Sequence, residues 1–346
     1  MERNDAPRMG AIEWIMLVSL SILWGGSFFF SKVAVAAIPP FTLVLGRTGM
    51  ASMALILVLW ALGHRLPRDG GAWRRYATMG LLNNVIPFCL IVWGQTQIAS
   101  GLAAILNATT PLFTVVLAHV LTRDEQLAPM KLLGVLIGLS GAVVTIGPEL
   151  LGGIGRHALA ELAVVAAAIS YGFAGIFGRR FKGGNPMVTA TGQLTASTAM
   201  MLPIALIIDK PWQLAMPGMT IWGAWIALAL LATSLGYILY FRILATAGAT
   251  NVLLVTFLIP VSAILLGAAI LGERLDSHAL AGMGLIFAGL ALIDGRLLLI
   301  LRGRSPALRP NADGSIGRAD RPPPRFRQVL RISPAAGSGR CGQDVE

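Results

Sequence analysis

Long apolar runs separated by short polar connectors fill most of the chain. Each run has about 20 residues, the length that carries an α-helix across the ~30 Å hydrocarbon core of a bilayer. Only helices or closed barrels satisfy their backbone hydrogen bonds in lipid, and the runs lack the period-two alternation of a barrel. The pattern therefore predicts an all-α integral membrane protein of about ten transmembrane helices. The predicted spans are residues 12–33, 41–62, 74–94, 98–121, 129–147, 158–178, 187–208, 219–242, 250–271 and 278–300.

Composition supports a surface that faces lipid. Hydrophobic residues make up 55% of the chain and charged residues 12%, about half the charged fraction of an average soluble protein. The net charge of +11 would suit nucleic acid, but most Lys and Arg residues lie in connectors or in the last 45 residues, as membrane topology signals do. No nucleotide-binding loop or paired Cys/His ligands appear. We expect a lipid bilayer and a small-molecule substrate as partners, with no nucleic acid, cofactor or metal; the sequence leaves a homodimer open.

The distribution of basic residues predicts how the chain is inserted. Placing the N-terminus in the cytoplasm puts most Lys and Arg residues in cytoplasmic connectors, as the positive-inside rule requires. The first apolar run is longer than a signal-peptide core, so we expect it to remain as the first span. The prediction is a multi-pass protein of the bacterial inner membrane with both termini cytoplasmic. The basic residues left for the outer connectors are Lys32, Arg156, Lys210 and Arg274.

The second half of the chain repeats the first. Each half holds five spans, and because five is odd the second half must enter the membrane inverted, an arrangement associated with alternating-access transporters. The matched residues are Trp24 with Tyr171, Arg47 with Gln193, Pro111 with Pro260, Gly134 with Gly282, and Gly141 with Gly289. We predict a cytoplasmic N-terminus (1–11), a first repeat (12–147), a periplasmic linker (148–157), a second repeat (158–300) and a disordered basic cytoplasmic tail (301–346).

Pro111 and Pro260 stand at matched positions within apolar runs. A proline inside a helix leaves the carbonyl four residues earlier without its usual partner. Those carbonyls belong to Asn107 and Thr256, so each repeat places a polar side chain beside a loosened backbone carbonyl. Helix kinks at equivalent positions of two halves indicate a substrate site. The alternative is that both side chains only satisfy their own helices.

Arg47 lies a turn or two inside the second span. A charge at the centre of a membrane helix costs about 2.5–3.5 kcal/mol on insertion scales, so a favourable interaction should offset it. Arg47 could bind a substrate carboxylate in a cavity or anchor neighbouring helices. The alternative is a side chain that extends to the outer interface, since Pro40 is near. The other candidate substrate-binding residues are polar or aromatic groups within the spans: Trp24, Asn83, Asn107, Thr110, Tyr171, Gln193, Tyr237 and Thr256.

Several motifs of this chain occur together in one known family. They are Trp24-Gly25-Gly26-Ser27-Phe28, Arg47, the paired prolines, and Leu271-Gly272-Glu273-Arg274-Leu275 before Gly282. With these motifs, residues 12–300 resemble the EamA-type members of the drug/metabolite transporter superfamily. The resemblance implies two inverted five-helix repeats around a central cavity, and export or uptake of amino acids or similar metabolites.

These observations favour a secondary transporter that works by alternating access, and not an enzyme. Two alternatives remain. An integral-membrane enzyme would need a convergent nucleophile and acid–base groups, and no such constellation is visible. A receptor or scaffold that does not transport would not require the inverted repeat.

Overall fold

The computed structural model describes residues 10–122, 129–146, 156–181, 183–252 and 254–294. Within these ranges the chain is helical and contains no strand. Nine of the described helices are long and apolar enough to cross a membrane, and α-helix Val255–Leu271 is a shorter apolar one. The predicted all-α membrane fold is confirmed.

Four predicted features lie wholly or mostly outside the described residues. They are the N-terminal segment 1–11, the linker 148–157, the end of the tenth span at 295–300, and the tail 301–346.

The first repeat forms five spans, of which the third and fourth are interrupted. A π-helical segment, Leu81–Val85, lies within the third span, and a two-residue turn divides the fourth. Proline lies in the first turn of several helices, where its fixed φ and missing N–H are tolerated. The helices are α1 (Ala11–Val35), α2 (Pro40–Ala61), α3 (Gly70–Gly80), α4 (Ile86–Gly94), α5 (Ser100–Asn107), α6 (Thr110–Leu121) and α7 (Pro129–Ile146).

The second repeat follows the same plan. A second π-helical segment, Leu228–Leu235, interrupts its third span, and a short 3₁₀ turn, Arg179–Phe181, follows its first. The helices are α8 (Arg156–Gly178), α9 (Pro186–Ile208), α10 (Met219–Ala227), α11 (Gly236–Ala247), α12 (Ala249–Val252), α13 (Val255–Leu271) and α14 (Ser277–Asp294).

The last helices of the two repeats, α7 and α14, cross each other at two glycine pairs. A Cβ on Gly134 would lie 2.7 Å from the carbonyl oxygen of Gly289, and one on Gly141 would lie 2.7 Å from that of Gly282. Gly134 matches Gly282 and Gly141 matches Gly289 in the repeat, so each contact maps onto the other when the repeats are exchanged. Such reciprocal contacts are the signature of a two-fold axis. The inverted-repeat architecture predicted from the sequence is confirmed.

The first helix of each repeat packs on the fourth span of the other repeat in the same reciprocal way. A Cβ on Gly25 of α1 would lie 2.6 Å from Cβ of Ser262 on α13. At the matched place, a Cβ on Gly172 of α8 would lie 3.3 Å from the amide nitrogen of Thr114 on α6. Each fourth span therefore packs against the first helix of the opposite repeat, and the two halves interlock.

One end of the bundle, here called the Glu273 end, is held by contacts of charged side chains with backbone. The Glu273 carboxylate accepts hydrogen bonds from the Ser100 amide at 2.9 Å and its hydroxyl at 2.7 Å, at the start of α5. Asp209 accepts from the Thr42 amide at 2.6 Å near the start of α2. Lys32 donates to the carbonyl of Gln95 at 2.7 Å just beyond α4. Carboxylates complement helix N-termini and ammonium groups complement C-termini.

The opposite end, here called the Arg180 end, carries more arginine. It contains the Arg179–Phe181 turn, the connector between α2 and α3, and the start of α9. Asp69 caps α3 there by accepting a hydrogen bond from the Ala72 amide at 2.8 Å. These backbone N–H donors hold the pKa of Asp69 below its usual value.

Pro111 does not lie inside a continuous helix, and this corrects the sequence prediction. The helix ends at Asn107, and Pro111 falls in the first turn of α6. The carbonyl of Asn107 has a partner, because the Thr110 hydroxyl donates to it at 2.8 Å. Pro260 does lie inside a helix, α13, where it is buried. The proline therefore breaks its span in one repeat only.

Candidate functional site

Both π-helical segments lie near the middle of their membrane spans. Asn83 is the fourteenth of 25 residues in the span Gly70–Gly94. Pro87 follows closely, and its ring would clash with the Asn83 carbonyl in a regular α-helix; the Ile86 amide instead bonds the Leu81 carbonyl, five residues back. A π-helical turn inside an α-helix is rare and frequently marks a functional site.

The second π-helical segment has a different local cause. The hydroxyl of Thr233 donates to the carbonyl of Leu228 at 2.9 Å, and that of Ser234 donates to the carbonyl of Ala229 at 3.1 Å. Both bonds span five residues and so stabilise the wider turn. The pairs Asn83–Asn84 and Thr233–Ser234 each precede the last residue of their π-helical segment. Each repeat thus presents two neighbouring polar side chains at mid-membrane.

These polar pairs contact the second helix of the opposite repeat, again reciprocally. The Asn84 amide donates to the Ser197 hydroxyl on α9 at 3.0 Å. The Ser234 hydroxyl contacts the Ala51 carbonyl on α2 at 3.3 Å. Ala51 matches Ser197 at the same offset of 146 that relates Arg47 to Gln193. The pseudo-two-fold axis therefore passes between the two π-helical segments.

Arg47 is buried beside this axis, with 7% of its surface exposed. Its Nε donates to the Thr233 hydroxyl at 3.0 Å, and its guanidinium carbon lies 3.6 Å from the ring centre of Phe88. The side chain extends into the bundle, and not to an interface. In the part of the chain that the structure describes, no carboxylate forms an ion pair with Arg47, and its electrostatic partners are Tyr171 and Tyr237.

Tyr237 joins the polar residues of the first π-helical segment. Its hydroxyl accepts from the Asn83 side-chain amide Nδ2 at 2.9 Å and donates to the Asn84 side-chain oxygen Oδ1 at 3.2 Å. Buried hydrogen bonds of this kind hold helices together at about 0.6 kcal/mol each in membranes. Two hydrogen-bonded groups, one around Arg47 and one around Tyr237, interact electrostatically through Arg47, Tyr171 and Tyr237. We call them together the polar centre; it comprises Arg47, Asn83, Asn84, Tyr171, Ser197, Thr233, Ser234 and Tyr237.

Gln193, the counterpart of Arg47, adjoins the polar centre. It is 2% exposed, and its carbonyl oxygen Oε1 is buried without a hydrogen-bond donor among the described residues. Its backbone carbonyl accepts from the Ser197 hydroxyl at 2.7 Å. A buried acceptor without a donor costs free energy, which a ligand that carries an N–H or O–H group would recover.

The other candidates from the sequence have different surroundings. Trp24 packs on Tyr240 with ring centroids 5.5 Å apart. Asn107 has a buried side-chain oxygen that accepts no hydrogen bond from the described residues. Thr110 bonds the Asn107 carbonyl, as described above, and Thr256 is half-buried in the first turn of α13. Of the sequence candidates, the structure thus brings together Arg47, Asn83, Tyr171 and Tyr237, with Gln193 adjacent. Among the described contacts, none joins the remaining candidates to the polar centre: Trp24, Asn107, Thr110 and Thr256.

Four members of the polar centre were not candidate site residues from the sequence: Asn84, Ser197, Thr233 and Ser234. Thr233, Ser234 and Ser197 are small hydroxyl residues in apolar runs, where such residues usually bond their own helix. The repeat contained a usable signal, because Thr233–Ser234 lies 150 positions after Asn83–Asn84.

Comparison with known proteins connects this architecture to transport. A family model described as the EamA-like transporter family matches residues 11–147 and again 158–294, in agreement with the resemblance noted from the motifs. YoaV of Bacillus subtilis, an uncharacterized transporter, is 25% identical over 79% of this chain and 94% of its own. YedA of Escherichia coli K12, an uncharacterized inner membrane transporter, is 25% identical over 84% of this chain and 92% of its own.

Two further matches extend the comparison. A probable terminal-alkyne amino-acid exporter of Streptantibioticus cattleyicolor is 26% identical over 84% of this chain and 96% of its own length. A solved crystal structure, described only as that of a protein, superposes with a TM-score of 0.59 at 20% identity, covering 82% of this chain and 97% of the other. The structural match supports the fold alone.

Proposed function

The chain belongs to the EamA-like transporter family and is a multi-pass membrane transporter, and from this premise we propose that it carries amino acids or similar carboxylate-bearing metabolites through the polar centre. The observation that supports this proposal is Arg47, a buried guanidinium whose described contacts are a hydroxyl and an aromatic ring. A guanidinium binds a carboxylate through two parallel hydrogen bonds. A substrate carboxylate would supply the missing counter-charge.

The mechanism we propose is alternating access by secondary transport. The two repeats rock against each other about the pseudo-two-fold axis, and the polar centre opens to each side in turn. The same symmetry that relates Asn84–Ser197 to Ser234–Ala51 lets the outward and inward states use equivalent contacts. Export is the direction we favour, since one relative is named a probable amino-acid exporter.

We place the protein in the bacterial inner membrane with both termini in the cytoplasm. YedA is named an uncharacterized inner membrane transporter, and most of the arginines that the structure describes lie at the Arg180 end, as expected of a cytoplasmic side. Reporter fusions at position 304 and in the connector 209–218 should report opposite sides. The same side for both would contradict the proposed topology.

Uptake into proteoliposomes tests the role of Arg47. We expect a panel of radiolabelled amino acids to contain a substrate, and its methyl ester, which lacks the negative charge, to compete poorly. Arg47→Ala should raise the apparent KM for the amino acid about 30-fold or more, as expected when one partner of a buried charge pair is removed. Arg47→Lys keeps the charge but not the planar fork, so we expect an intermediate KM.

Arg242→Ala is the matched control, because Arg242 is exposed on α11. It should leave uptake unchanged at equal protein level. If Arg47→Ala transported the amino acid with the parental KM and still discriminated against the ester, the carboxylate-binding role would be wrong.

A further inference from the structure

A cavity of about 230 Å³ lies at the Arg180 end, away from the polar centre. This open cavity is lined by residues from the first turns of α3, the Arg179–Phe181 turn and the first turn of α9. The residues that line it and matter here are Arg75, Tyr76, Arg180, Phe181, Asn185 and Thr189.

The apolar wall of the cavity is a pair of stacked rings. Tyr76 and Phe181 have ring centroids 5.8 Å apart and an interplanar angle of 7°. Tyr76 is buried and also packs edge-on against Trp73. Packing on both sides restricts the rings and so gives the cavity a fixed wall.

The charge of the cavity is positive. Arg75 and Arg180 are exposed, and no carboxylate forms an ion pair with either within the described ranges. The acid nearest in sequence, Asp69, is already engaged as the cap of α3, although Arg75 interacts with it electrostatically. Arg180 lies over the ring of Phe177 at 4.8 Å, which leaves its N–H edge available. Two exposed arginines therefore line the same cavity.

The depth of the cavity in the membrane follows from helix length. The span Gly70–Gly94 has 25 residues, or about 37 Å at 1.5 Å per residue, which exceeds a hydrocarbon core of about 30 Å. The span is therefore long enough for its first turns to reach the level of the lipid headgroups. Trp73, whose indole donates to the Pro67 carbonyl at 2.9 Å, occupies this level as aromatic residues do at membrane interfaces.

We propose that this cavity binds a phosphate group, carried by an anionic phospholipid of the leaflet that the Arg180 end faces. Basic pockets between membrane helices suit such headgroups. Arg75 and Arg180 bind the phosphate oxygens as planar donors, and the glycerol and acyl chains lie along the Tyr76–Phe181 wall. This site is independent of the substrate path through the polar centre, so its test does not depend on transport.

Native mass spectrometry of the purified full-length protein in detergent tests the proposal. Phosphatidylglycerol is added and compared with phosphatidylcholine, which carries a phosphate but no net charge. We expect one phosphatidylglycerol to bind preferentially, and the double variant R75Q/R180Q to bind it about 30-fold more weakly, because each arginine near a membrane surface contributes about fivefold. Thermal melting of each variant establishes that it is folded.

R65Q/R68Q is the matched control, because it removes the same charge from exposed arginines of the adjoining connector. It should bind phosphatidylglycerol within about twofold of the parent. Parental binding by R75Q/R180Q, an equal loss in R65Q/R68Q, or no preference over phosphatidylcholine in the parent would each overturn the proposal.

Glycerol 1-phosphate distinguishes the source of the phosphate. If it fails to displace the bound lipid, the lipid is the ligand that we propose. If it binds alone in the parent and not in R75Q/R180Q, with no lipid bound, the cavity is a phosphate site and its assignment to a lipid is wrong.

Discussion

Two helix pairs connect the repeats across the pseudo-two-fold axis, and they keep the symmetry of the sequence to different degrees. In the α7–α14 pair, both crossings are formed by glycine against glycine, at Gly134–Gly289 and Gly141–Gly282. In the α2–α9 pair, the matched residues are Arg47 and Gln193, a cation in one repeat and a neutral amide in the other. The first pair is symmetric in sequence and the second is not.

This difference separates the scaffold from the site. Where backbones touch, only glycine fits, and both repeats must keep it. At the polar centre, both repeats keep the same backbone plan, since each has a π-helical segment. Their side chains at matched positions differ, and the result is a polar environment in which Arg47 is the single positive charge. A single charge in a two-fold frame gives a bound solute one preferred orientation.

The largest effect is expected when a methyl group is added at a glycine contact between α7 and α14, because it should disrupt their packing. A Cβ on Gly289 would lie 2.6 Å from the Gly138 amide nitrogen, so Gly289→Ala should force α14 away from α7. We expect the free energy of unfolding to fall by about 2–3 kcal/mol, measured by equilibrium unfolding in mixed micelles. Gly284→Ala is the control, since nothing lies within 4 Å of a Cβ there; it should be neutral or slightly stabilising. Equal effects of the two would refute the close-packed crossing.

The next largest effect is expected at the contact of Glu273 with α5, which joins the two repeats at the Glu273 end. Glu273→Gln keeps the shape but removes the charge that faces the Ser100 amide and hydroxyl. We expect a loss of about 1–2 kcal/mol in unfolding free energy. Asp276→Asn, at an exposed residue of the same connector, should change it by less than about 0.5 kcal/mol. If Glu273→Gln had the same unfolding free energy as the parent, the cap would contribute little to stability.

A smaller effect is expected at the polar centre. Tyr237→Phe removes the hydroxyl that bonds Asn83 and Asn84. Two membrane hydrogen bonds correspond to about 1 kcal/mol of unfolding free energy. Tyr240→Phe is matched, because Tyr240 is seen in ring contacts with Trp24 and Phe241. If the two variants unfolded alike, the hydrogen bonds of Tyr237 would not hold the helices together.

The smallest effect lies outside both helix pairs, at Asp69. Its pKa is lower in the folded protein, because the amides of Ala72 and Gly71 favour the carboxylate. The stabilisation by the charge is therefore present above the unfolded pKa of about 3.9 and is lost as the pH falls through the folded pKa. Asp69→Asn retains a cap acceptor, so the melting temperatures of parent and variant should differ slightly at pH 7, and the difference should shrink as the pH is lowered below about 3.9. A difference that grows at pH 3 would contradict this assignment.

The sequence predicted the spans and the repeat because each depends on a repeated local property. Apolar length determines which segments cross the bilayer, and the offsets that pair Gly134 with Gly282 and Gly141 with Gly289 recur as contacts. Arg47 could be singled out because a charge in an apolar run is costly wherever the helix lies.

The partners of these residues could not be predicted in the same way. A π-helical turn differs from an α-helical turn by one residue, and Leu228–Leu235 contains no proline to indicate it. The bond of Arg47 to Thr233 joins residues 186 positions apart, which only the packing of α2 on the second π-helical segment brings together. The break before Pro111 was also missed, because the Thr110 hydroxyl provides a local alternative to the continuous helix.

The Glu273 cap also bears on how the protein is made. Ser100 and Glu273 are 173 residues apart, and at 5–20 residues per second a ribosome takes roughly 10–35 s to cover that distance. For that time the start of α5 is in the membrane without its carboxylate, and the fourth span of the first repeat is incompletely capped. A first repeat synthesised alone would stay in that condition permanently. Although the two halves repeat each other in sequence, the first half obtains its cap on α5 only when the second half is made as part of the same chain.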